Sequence, residues 1–373
     1  MFGDVSPIPA PTLRAMPDDN LDAVRERIRQ IDIDLIARAA ERLALVKQVG
    51  DIKRRLNLPT VDYAHEHAVL ARARAAAIEH RLDPRIAEDL LARLIRASVG
   101  AQEDDRLRFS GAGAGKCAVI VGGAGRMGRW IAQFLSAQGF ATGALDPAGT
   151  AEENAWARGA LASADLVVMA ASPGVTAHLY TEWTASPPRG VVVDIASIKT
   201  PLLEPIRALQ RGGCCVGSIH PMFGPSVALL RDADVVVCDT GDARAMAMVE
   251  QLFTPTTARI VRMPLADHDR AMADLLSLAH ATAIAFAVAL PATQQPVRST
   301  TFRALESLAA AVVRESPDVY YEIQAKNPYS AQAVERLRDA LSRLVSAISN
   351  HDSAAFARLL EEGKSRSSQS ATS

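Results

Sequence analysis

The stretch Val119–Leu135, "VIVGGAGRMGRWIAQFL", decides the fold of the central third of the chain. An apolar run, Val119–Val121, leads into Gly123-Ala124-Gly125-Arg126-Met127-Gly128, and the following residues to Ala137 have the composition of a helix. The six residues fit the pattern GxGxxG, which is weak alone but informative between a strand and a helix. Its glycines permit a tight turn and bring the backbone close to a pyrophosphate at the helix N-terminus. The stretch therefore predicts a dinucleotide-binding site.

Asp146 indicates which dinucleotide is bound. It ends the next predicted strand, 18 residues after Gly128. Its carboxylate would accept hydrogen bonds from the adenosine ribose diol and repel a 2′-phosphate, so the sequence predicts NAD rather than NADP. The alternative is an ordinary glycine turn of an α/β domain. The predicted cofactor-binding residues are Gly123, Gly125, Arg126, Met127, Gly128 and Asp146.

Short apolar runs alternate with helical stretches on both sides of this motif. Continuous runs rich in Val and Ile are typical of a parallel sheet that is covered on both faces. We therefore predict a Rossmann-like α/β domain over residues 117–262. The runs are "CAVIVGG", "ATGALDP", "DLVVMAAS", "GVVVDIAS", "CCVGSIH" and "DVVVCD".

The chain is helical before and after this domain. Apolar residues recur at spacings of three and four from Leu21 to about Asn57, and two more helical segments follow, near Ala64–His80 and Pro84–Ala101. "EDDRLRFSGAGAGK" then has the composition of a linker. The predicted divisions are a disordered arm (1–18), a helical domain (19–103), a linker (104–116), the α/β domain (117–262), a second helical domain (263–362) and a disordered tail (363–373).

Composition restricts the function. The 41 basic and 42 acidic residues give a net charge of −1, which predicts no binding to nucleic acid or to an anionic membrane. The four cysteines show no CxxC spacing, so we expect no metal site and a reducing, cytoplasmic compartment. Met272–Leu290 is long and apolar, but Asp274 and His280 make a helix at a large helical interface the better interpretation than a membrane span.

Basic residues continue the apolar stripe of the first helix. Arg42 follows this 3–4 stripe, and Lys53 lies eleven residues later on the same face. Arg25 lies 17 residues before Arg42, about 25 Å along a helix axis, so one helix cannot bring both to one small ligand. Two antiparallel copies could. Ser98 and Gln102, spaced i and i+4, add neutral donors. The pattern predicts a site for a small polyanion between helices; solvated side chains are the alternative.

Residues Leu21–Gln102 resemble the all-helical chorismate mutase domain, an intertwined dimer of three-helix chains. The match needs no gap, and "AERLALVKQVGDIK" is close to the family's own sequence. The resemblance implies electrostatic catalysis of a pericyclic rearrangement. Arg42 and the partner chain's Arg25 would hold two carboxylates, with help from Ser98. Lys53 and Gln102 would stabilise charge on the breaking ether oxygen.

At the ring hydroxyl of the substrate the resemblance is incomplete. Glu66 falls on the family position that meets this hydroxyl. Beside it the family usually has an arginine, whereas this chain has His65. The identity of the ring C4 substituent is therefore left open.

Two further segments place polar residues just after predicted strands, where α/β sheets bind their ligands. They are "VVVDIASIKT" (Val191–Thr200) and "VGSIHPMFGP" (Val216–Pro225). Ser197, Lys199 and His220 are therefore candidates to face the nicotinamide, with a structural histidine as the alternative for His220.

The segments "DIASIK", "HPMFGP" and "DHDRAMADLL" resemble prephenate dehydrogenase, specifically the form with a chorismate mutase fused ahead of it. The resemblance covers about Asp19 to Glu362. It implies that His220 takes the proton from the C4 hydroxyl while hydride passes from C4 to NAD, after which loss of CO2 aromatises the product. Ser197 would hydrogen-bond near the same hydroxyl, and His280 would lie at the substrate site of a homodimer.

A second departure concerns the ring carboxylate. The family grips it with an arginine, but a gap-free alignment places Ala311 there, and Arg303 or Arg314 would have to substitute. The leading hypothesis is conversion of chorismate to 4-hydroxyphenylpyruvate for tyrosine. The same reactions on 4-amino-4-deoxy analogues are the closest alternative, and a non-catalytic ligand sensor is the third.

Overall fold

The computed structural model describes residues 21–56, 58, 62–227, 230–231, 233–291, 297–314 and 316–370. The predicted arm, residues 1–18, lies outside them. The chain forms three parts in sequence: a helical domain, a sheet domain and a second helical domain. This is the predicted fold class.

The first domain has three helices: α1 (Leu21–Arg55), α2 (Tyr63–Glu79) and α3 (Pro84–Ser110). Helix α3 begins as predicted, with Asp83 as its N-cap and Pro84 in the first turn. Its end differs from the prediction, because residues 104–110 of the expected linker continue the helix. No Gly or Pro lies between residues 101 and 110, so the charged composition alone did not end the helix.

No residue of α1 is buried within the chain. The residues of its apolar stripe are each at least 45% exposed, namely Leu21, Val24, Ile28, Ile31, Leu35, Leu45, Val49 and Ile52. Exposing a continuous apolar stripe of this length to water is unfavourable unless another surface covers it.

The sheet domain has seven strands in the order β2-β1-β3-β4-β5-β6-β7. All neighbours are parallel except β5 and β6, which are antiparallel, and the described residues between these two strands form no crossover helix. The sequence analysis missed β7, whose apolar residues alternate with arginines instead of forming a continuous run. The strands are β1 (Cys117–Val121), β2 (Ala141–Leu145), β3 (Leu166–Met169), β4 (Val191–Asp194), β5 (Cys215–Pro221), β6 (Asp234–Asp239) and β7 (Arg259–Pro264).

Helices cover both faces of this sheet, and a hydrophobic core lies on each face. Two short 3₁₀ turns, Trp183–Ala185 and Thr200–Leu202, complete the domain. The helices are α4 (Arg126–Ala137), α5 (Ala151–Leu161), α6 (Pro173–Glu182), α7 (Leu203–Arg211) and α8 (Ala243–Phe253).

The last domain is helical to its described end. The tail was predicted to be disordered from residue 363, but α14 continues to Ser370. Glu362 and Arg366, spaced i and i+4, form an ion pair across the predicted boundary, and no proline interrupts the segment. The helices are α9 (His268–Met272), α10 (Leu278–Ala289), α11 (Thr300–Val313), α12 (Pro317–Lys326), α13 (Ser330–Ser349) and α14 (Ser353–Ser370).

A π-helical turn, Ala273–Ser277, joins α9 and α10 into one helix. Residues 268–289 are long and apolar enough to cross a membrane by length and composition alone, with a mean hydropathy of 1.6 in their most apolar 18 residues. Only 22% of this most apolar stretch is buried within the single chain. Asp274 forms an ion pair with Arg336 of α13, which is costly to place in lipid.

Candidate active site

The glycine motif forms the turn between β1 and α4. Gly122, just before the motif, has a φ of 81°, a conformation that favours glycine. A Cβ at Gly128 would lie 2.3 Å from the carbonyl oxygen of Gly122, so only glycine lets α4 approach the strand this closely. No side chain caps the N-terminus of α4 at Gly125. This backbone therefore fits a pyrophosphate at the helix N-terminus.

Asp146 follows β2, the neighbour of β1, as predicted. Its two carboxylate oxygens accept hydrogen bonds from the backbone N–H groups of Ala124, at 3.1 Å, and Ala148, at 2.8 Å. The carboxylate is thereby fixed against the glycine turn. Each oxygen keeps lone-pair capacity for a ribose hydroxyl, so the geometry fits the predicted NAD contact.

A cleft of about 450 Å³ opens between this turn and α12 of the last domain. Gly125, Arg126 and Met127 line one side and Ser197, after β4, lines its floor. The remaining lining residues are Ala170, Ala171, Ser172, Pro173, Ile195, Ala196, Ile198, Pro225, Ser316, Val319, Glu322 and Ile323. Its volume suits a small ligand beside a nicotinamide.

His220 lies at the same end of the sheet as Ser197. In the parallel register of β4 and β5, Asp194 lies opposite Ser218, so Ser197 and His220 follow this pair by three and two residues. His220 is buried within the end of β5, rather than following the strand as predicted. The structure thus brings the two predicted residues to neighbouring strand ends.

A series of hydrogen bonds fixes the imidazole of His220. Its Nδ1 lies 3.0 Å from Nε2 of His268, and Nδ1 of His268 lies 2.8 Å from a carboxylate oxygen of Asp269. Because Asp269 accepts, His268 carries its proton on Nδ1 and accepts on Nε2. His220 then donates from Nδ1, which leaves its Nε2 unprotonated. This is the tautomer that a general base requires.

The surroundings keep these groups in the required protonation states. Burial, together with the neighbouring His268 and Lys199, lowers the pKa of His220 well below 6.5. Burial also lowers the pKa of His268. Burial alone would raise the pKa of Asp269, but hydrogen bonds from His268, Thr200 and Lys199 hold it below its usual value. Neutral pH therefore leaves both histidines neutral and Asp269 ionised.

Lys199 was predicted as a candidate to face the nicotinamide and bind substrate, but the structure places its side chain in a buried ion pair instead. Its side chain is fully buried, with Nζ 2.6 Å from the Asp194 carboxylate and 2.7 Å from the carbonyl oxygen of Ile219. The Lys199 cation neutralises the buried Asp194 carboxylate and donates to the Ile219 carbonyl, so its side chain is directed into the domain. It joins the Ser197 loop to β5.

The predicted residues of the last domain are dispersed. The His280 ring packs edge-on against Tyr320, at 4.5 Å between centroids, and Tyr320 belongs to the helix that lines the cleft. Burial lowers the pKa of His280. Arg303 and Arg314 are both exposed, and neither is among the described residues that line the cleft. The substitute for the family arginine at Ala311 thus stays a prediction.

In the first domain, α1 and α3 bring four predicted residues together. Arg42 donates to the Ser98 hydroxyl at 2.8 Å and to the Leu94 carbonyl at 3.2 Å. Gln102 donates to the Val46 carbonyl at 3.3 Å. Lys53 and Gln102 line the same pocket, which holds only about 20 Å³ in one chain. This volume is far too small for a ligand with two carboxylates.

The other two predicted residues of this domain, Arg25 and Glu66, form ion pairs with other side chains. Arg25 is largely exposed and faces Asp22 at 3.7 Å, near the far end of α1. Glu66 of α2 forms a bidentate ion pair with Arg231 of the sheet domain, at 3.0 and 2.6 Å. Within one chain, Arg42, Ser98, Gln102 and Lys53 thus lie between α1 and α3. Arg25 is not among them, and the Glu66 carboxylate is paired with Arg231.

Sequence reasoning missed several residues at these sites. His268 and Asp269 stood in the quoted "DHDR" segment, but nothing local signalled that they contact His220, which lies 48 residues away. Arg231 and Glu103 were also missed. Among the residues that the structure describes, no group of three or more His, Cys, Asp or Glu side chains is placed to hold a metal ion.

The fold and these sites define an NAD-dependent oxidoreductase preceded by a helical domain. The family profile of chorismate mutase type II matches residues 24–103. Those of the prephenate dehydrogenase nucleotide-binding and dimerization domains match residues 141–262 and 264–362. The chain belongs to the bifunctional chorismate mutase/prephenate dehydrogenase family, as the sequence predicted.

Individual relatives agree. The chain is 27% identical over 349 residues to a T-protein of Enterobacter agglomerans, covering 90% of each chain. It is 33% identical over 271 residues to a 4-amino-4-deoxyprephenate dehydrogenase of Streptomyces pristinaespiralis, covering 66% of this chain and 90% of that protein. A solved Aquifex aeolicus prephenate dehydrogenase shares the fold at a TM-score of 0.54 and 17% identity, covering 68% of this chain and 98% of that one.

Proposed function

We propose that this protein converts chorismate to prephenate and then oxidatively decarboxylates prephenate to 4-hydroxyphenylpyruvate with NAD, for tyrosine biosynthesis. The observation that carries the second step is the series His220–His268–Asp269, which presents an unprotonated Nε2 at the strand ends beside the cleft. The first step rests on the cluster of Arg42, Ser98, Gln102 and Lys53 between α1 and α3.

In the dehydrogenase site, His220 Nε2 takes the proton of the C4 hydroxyl. NAD, when bound at the glycine turn, supplies the acceptor for the C4 hydride. The proton on His220 creates a buried cation, which His268 stabilises by accepting from Nδ1 while Asp269 fixes the orientation of His268. Ser197 orients the C4 hydroxyl. Loss of the ring carboxylate as CO2 then aromatises the ring.

In the mutase site, no proton or covalent bond to the protein is needed. Arg42, held by Ser98, binds one substrate carboxylate, and Arg25 of the partner subunit binds the other. Lys53 and Gln102 stabilise negative charge on the breaking ether oxygen.

A homodimer in the cytoplasm is part of this proposal. The stripe of α1 is exposed along the whole helix, and the apolar helix 268–289 is mostly uncovered in one chain. The second helix lies in the part that matches a dimerization domain. A second copy of the chain would cover both surfaces and bring Arg25 to the mutase site.

A second substrate class, the 4-amino-4-deoxy analogues, is favoured by one feature of the cleft. Prephenate carries two carboxylates, yet Arg126, at the pyrophosphate position, is the one Arg or Lys among the described lining residues. Glu322 adds a carboxylate to the same lining, and Ala311 replaces the family arginine. Glu322 forms an ion pair with Lys326 of the same helix, so a C4 ammonium group would share this carboxylate with the lysine. Of the two sequence relatives named above, the 4-amino-4-deoxyprephenate dehydrogenase has the higher identity to this chain, 33% against 27%.

The deciding experiment supplies the protein with NAD and either chorismate or 4-amino-4-deoxychorismate and follows NADH formation. Faster turnover of chorismate supports the tyrosine pathway, and NADH from the amino compound alone replaces it with the second candidate. NADH from neither substrate would indicate a non-catalytic sensor. As a control, His220→Asn should lower NADH formation by about 10²–10⁴-fold and leave prephenate formation from chorismate unchanged.

A further inference from the structure

Arg231 of the sheet domain reaches the helical domain and binds Glu66 with both guanidinium nitrogens, at 3.0 and 2.6 Å. The two side chains are only 14% and 16% exposed. The Arg231 guanidinium also lies 5.6 Å from the centre of the Tyr63 ring, one turn before Glu66 in α2. A bidentate, largely desolvated pair of this kind is among the stronger polar contacts in proteins and fixes the plane of the carboxylate.

A second contact holds the same segment independently. Glu103 of α3 is buried and accepts from the backbone N–H of Leu230 at 3.4 Å. It also accepts from the backbone N–H and the hydroxyl of Thr257, at 2.5 and 3.0 Å. Arg231 is thus presented to Glu66 from an anchored backbone.

We propose that Arg231 is a positioning residue of the mutase site, where it supplies the guanidinium that the family carries beside this glutamate and that His65 replaces here. The inference rests on the proposed mutase function of the first domain. Arg231 holds the Glu66 carboxylate in one orientation, and each oxygen keeps a lone pair that accepts from the substrate's C4 substituent. The dehydrogenase domain of the same chain therefore contributes one residue to the mutase site, beside the Arg25 that the partner subunit supplies.

The chain position of Arg231 adds a consequence. It lies in the connection between β5 and β6, eleven residues after His220. The connection that begins at the dehydrogenase base thus also carries the guanidinium that positions Glu66. A helical domain without its sheet domain would lack this group.

The test compares Arg231→Ala, Arg231→Lys and Glu103→Gln in the full chain. Mutase activity is measured with the preferred substrate, and dehydrogenase activity is measured with its rearranged product supplied directly. Arg231→Ala should lower mutase kcat/KM on the order of tenfold to a hundredfold, because the carboxylate loses its orientation. Arg231→Lys should recover only part, since an ammonium cannot bind both oxygens in a fork. Dehydrogenase activity, assayed well below Tm, should change little, whereas Tm should fall because the largely buried Glu66 carboxylate loses its partner.

Glu103→Gln weakens the contact between the helical domain and the sheet domain but leaves the Arg231–Glu66 pair in place. It therefore distinguishes loss of Glu66 orientation from loss of domain contact. Added guanidinium ion should restore mutase activity to Arg231→Ala and not to Glu103→Gln. Arg259→Ala, which removes another bidentate pair of the sheet domain, should behave as wild type.

Three results would overturn the inference: unchanged or increased mutase activity in Arg231→Ala, an equal loss in Glu103→Gln, or no rescue by guanidinium ion. An active wild type with an unaffected Arg231→Ala refutes this inference alone. A wild type without mutase activity on either substrate refutes the proposed function, and the inference with it.

Discussion

Nδ1 of His220 and Nε2 of His268 lie 3.0 Å apart, and the single proton between them decides which nitrogen of His220 is left unprotonated. Asp269 determines the position of this proton, because its carboxylate accepts a hydrogen bond from the single N–H of a neutral His268. Nε2 of His268 can then only accept. The tautomer that the proposed base needs is thus set by Asp269, which acts through His268.

The first prediction concerns the loss of the hydrogen bond between His220 and His268. His268→Phe keeps an aromatic ring but leaves the Nδ1–H of His220 without its acceptor, so the imidazole can adopt the wrong tautomer. Dehydrogenase kcat should fall on the order of 10²-fold or more, with little change in KM for prephenate. The control is His178→Phe, an exposed histidine on α6, which should leave kcat unchanged. A His268→Phe enzyme with normal kcat would show that the tautomer is fixed in another way.

The second prediction concerns pH. His220 acts in its unprotonated form, so dehydrogenase activity is lost as pH falls through its pKa. Burial and the neighbouring His268 and Lys199 lower this pKa well below 6.5, so the acid limb of kcat/KM should lie well below pH 6.5. The measurement is kcat/KM for prephenate against pH at saturating NAD. A midpoint at or above 6.5 that disappears in His220→Asn would contradict the assigned environment of this base.

Local patterns made the cofactor site predictable. The glycine turn depends on residues within about ten positions, and Asp146 follows a strand whose apolar run is visible in the sequence. The contacts of His268 with His220 and of Arg231 with Glu66 join residues 48 and 165 positions apart. Such contacts arise from the packing of whole domains, and no local spacing records them.

Two errors show where local rules fail. The rule that polar residues after a strand face the ligand agrees with the position of Ser197 in the cleft lining but not with the burial of Lys199, because the rule does not say which way a side chain turns at the strand end. Composition predicted disorder in the tail, whereas ion pairs between i and i+4 such as Glu362–Arg366 support a helix there. In both cases the missing information was a specific partner.

The third prediction tests Asp146. Asp146→Asn keeps the shape of the side chain but removes the charge that repels a 2′-phosphate. The ratio of kcat/KM for NAD to that for NADP should be high in the wild type and should fall in the variant. The control is Asp165→Asn, since Asp165 accepts a backbone hydrogen bond from Cys117 at the opposite end of β1. Equal use of NAD and NADP by the wild type would refute the assignment of Asp146.

The fourth prediction tests the shared mutase site. Arg25 and Arg42 lie on one straight helix, about 25 Å apart along its axis, and Arg42 alone contacts Ser98. Arg25→Ala and Arg42→Ala should each be inactive as mutases. Mixing them under conditions that exchange subunits should restore activity, because one of the two sites in a mixed dimer is intact. Full mutase activity in a monomer, measured by sedimentation and assay together, would exclude a shared site.

The last prediction separates two roles for Lys199. If its cation gripped a substrate carboxylate, Lys199→Met would raise KM for prephenate and leave Tm unchanged. The structure indicates the opposite, because Nζ is fully buried between Asp194 and the Ile219 carbonyl. Breaking such a pair leaves a carboxylate uncompensated in the core, which typically costs about 3–5 kcal/mol. Lys199→Met should therefore lower Tm strongly, with KM near that of the wild type at low temperature.

Two companion variants make this prediction sharper. Asp194→Asn combined with Lys199→Met removes both charges and should recover part of the lost Tm, since no uncompensated carboxylate remains. Lys364→Met breaks an exposed ion pair with Glu361 and should leave Tm nearly unchanged. A native Tm with a raised KM in Lys199→Met would return this lysine to the substrate site, and the buried contacts with Asp194 and Ile219 would then have to open during catalysis.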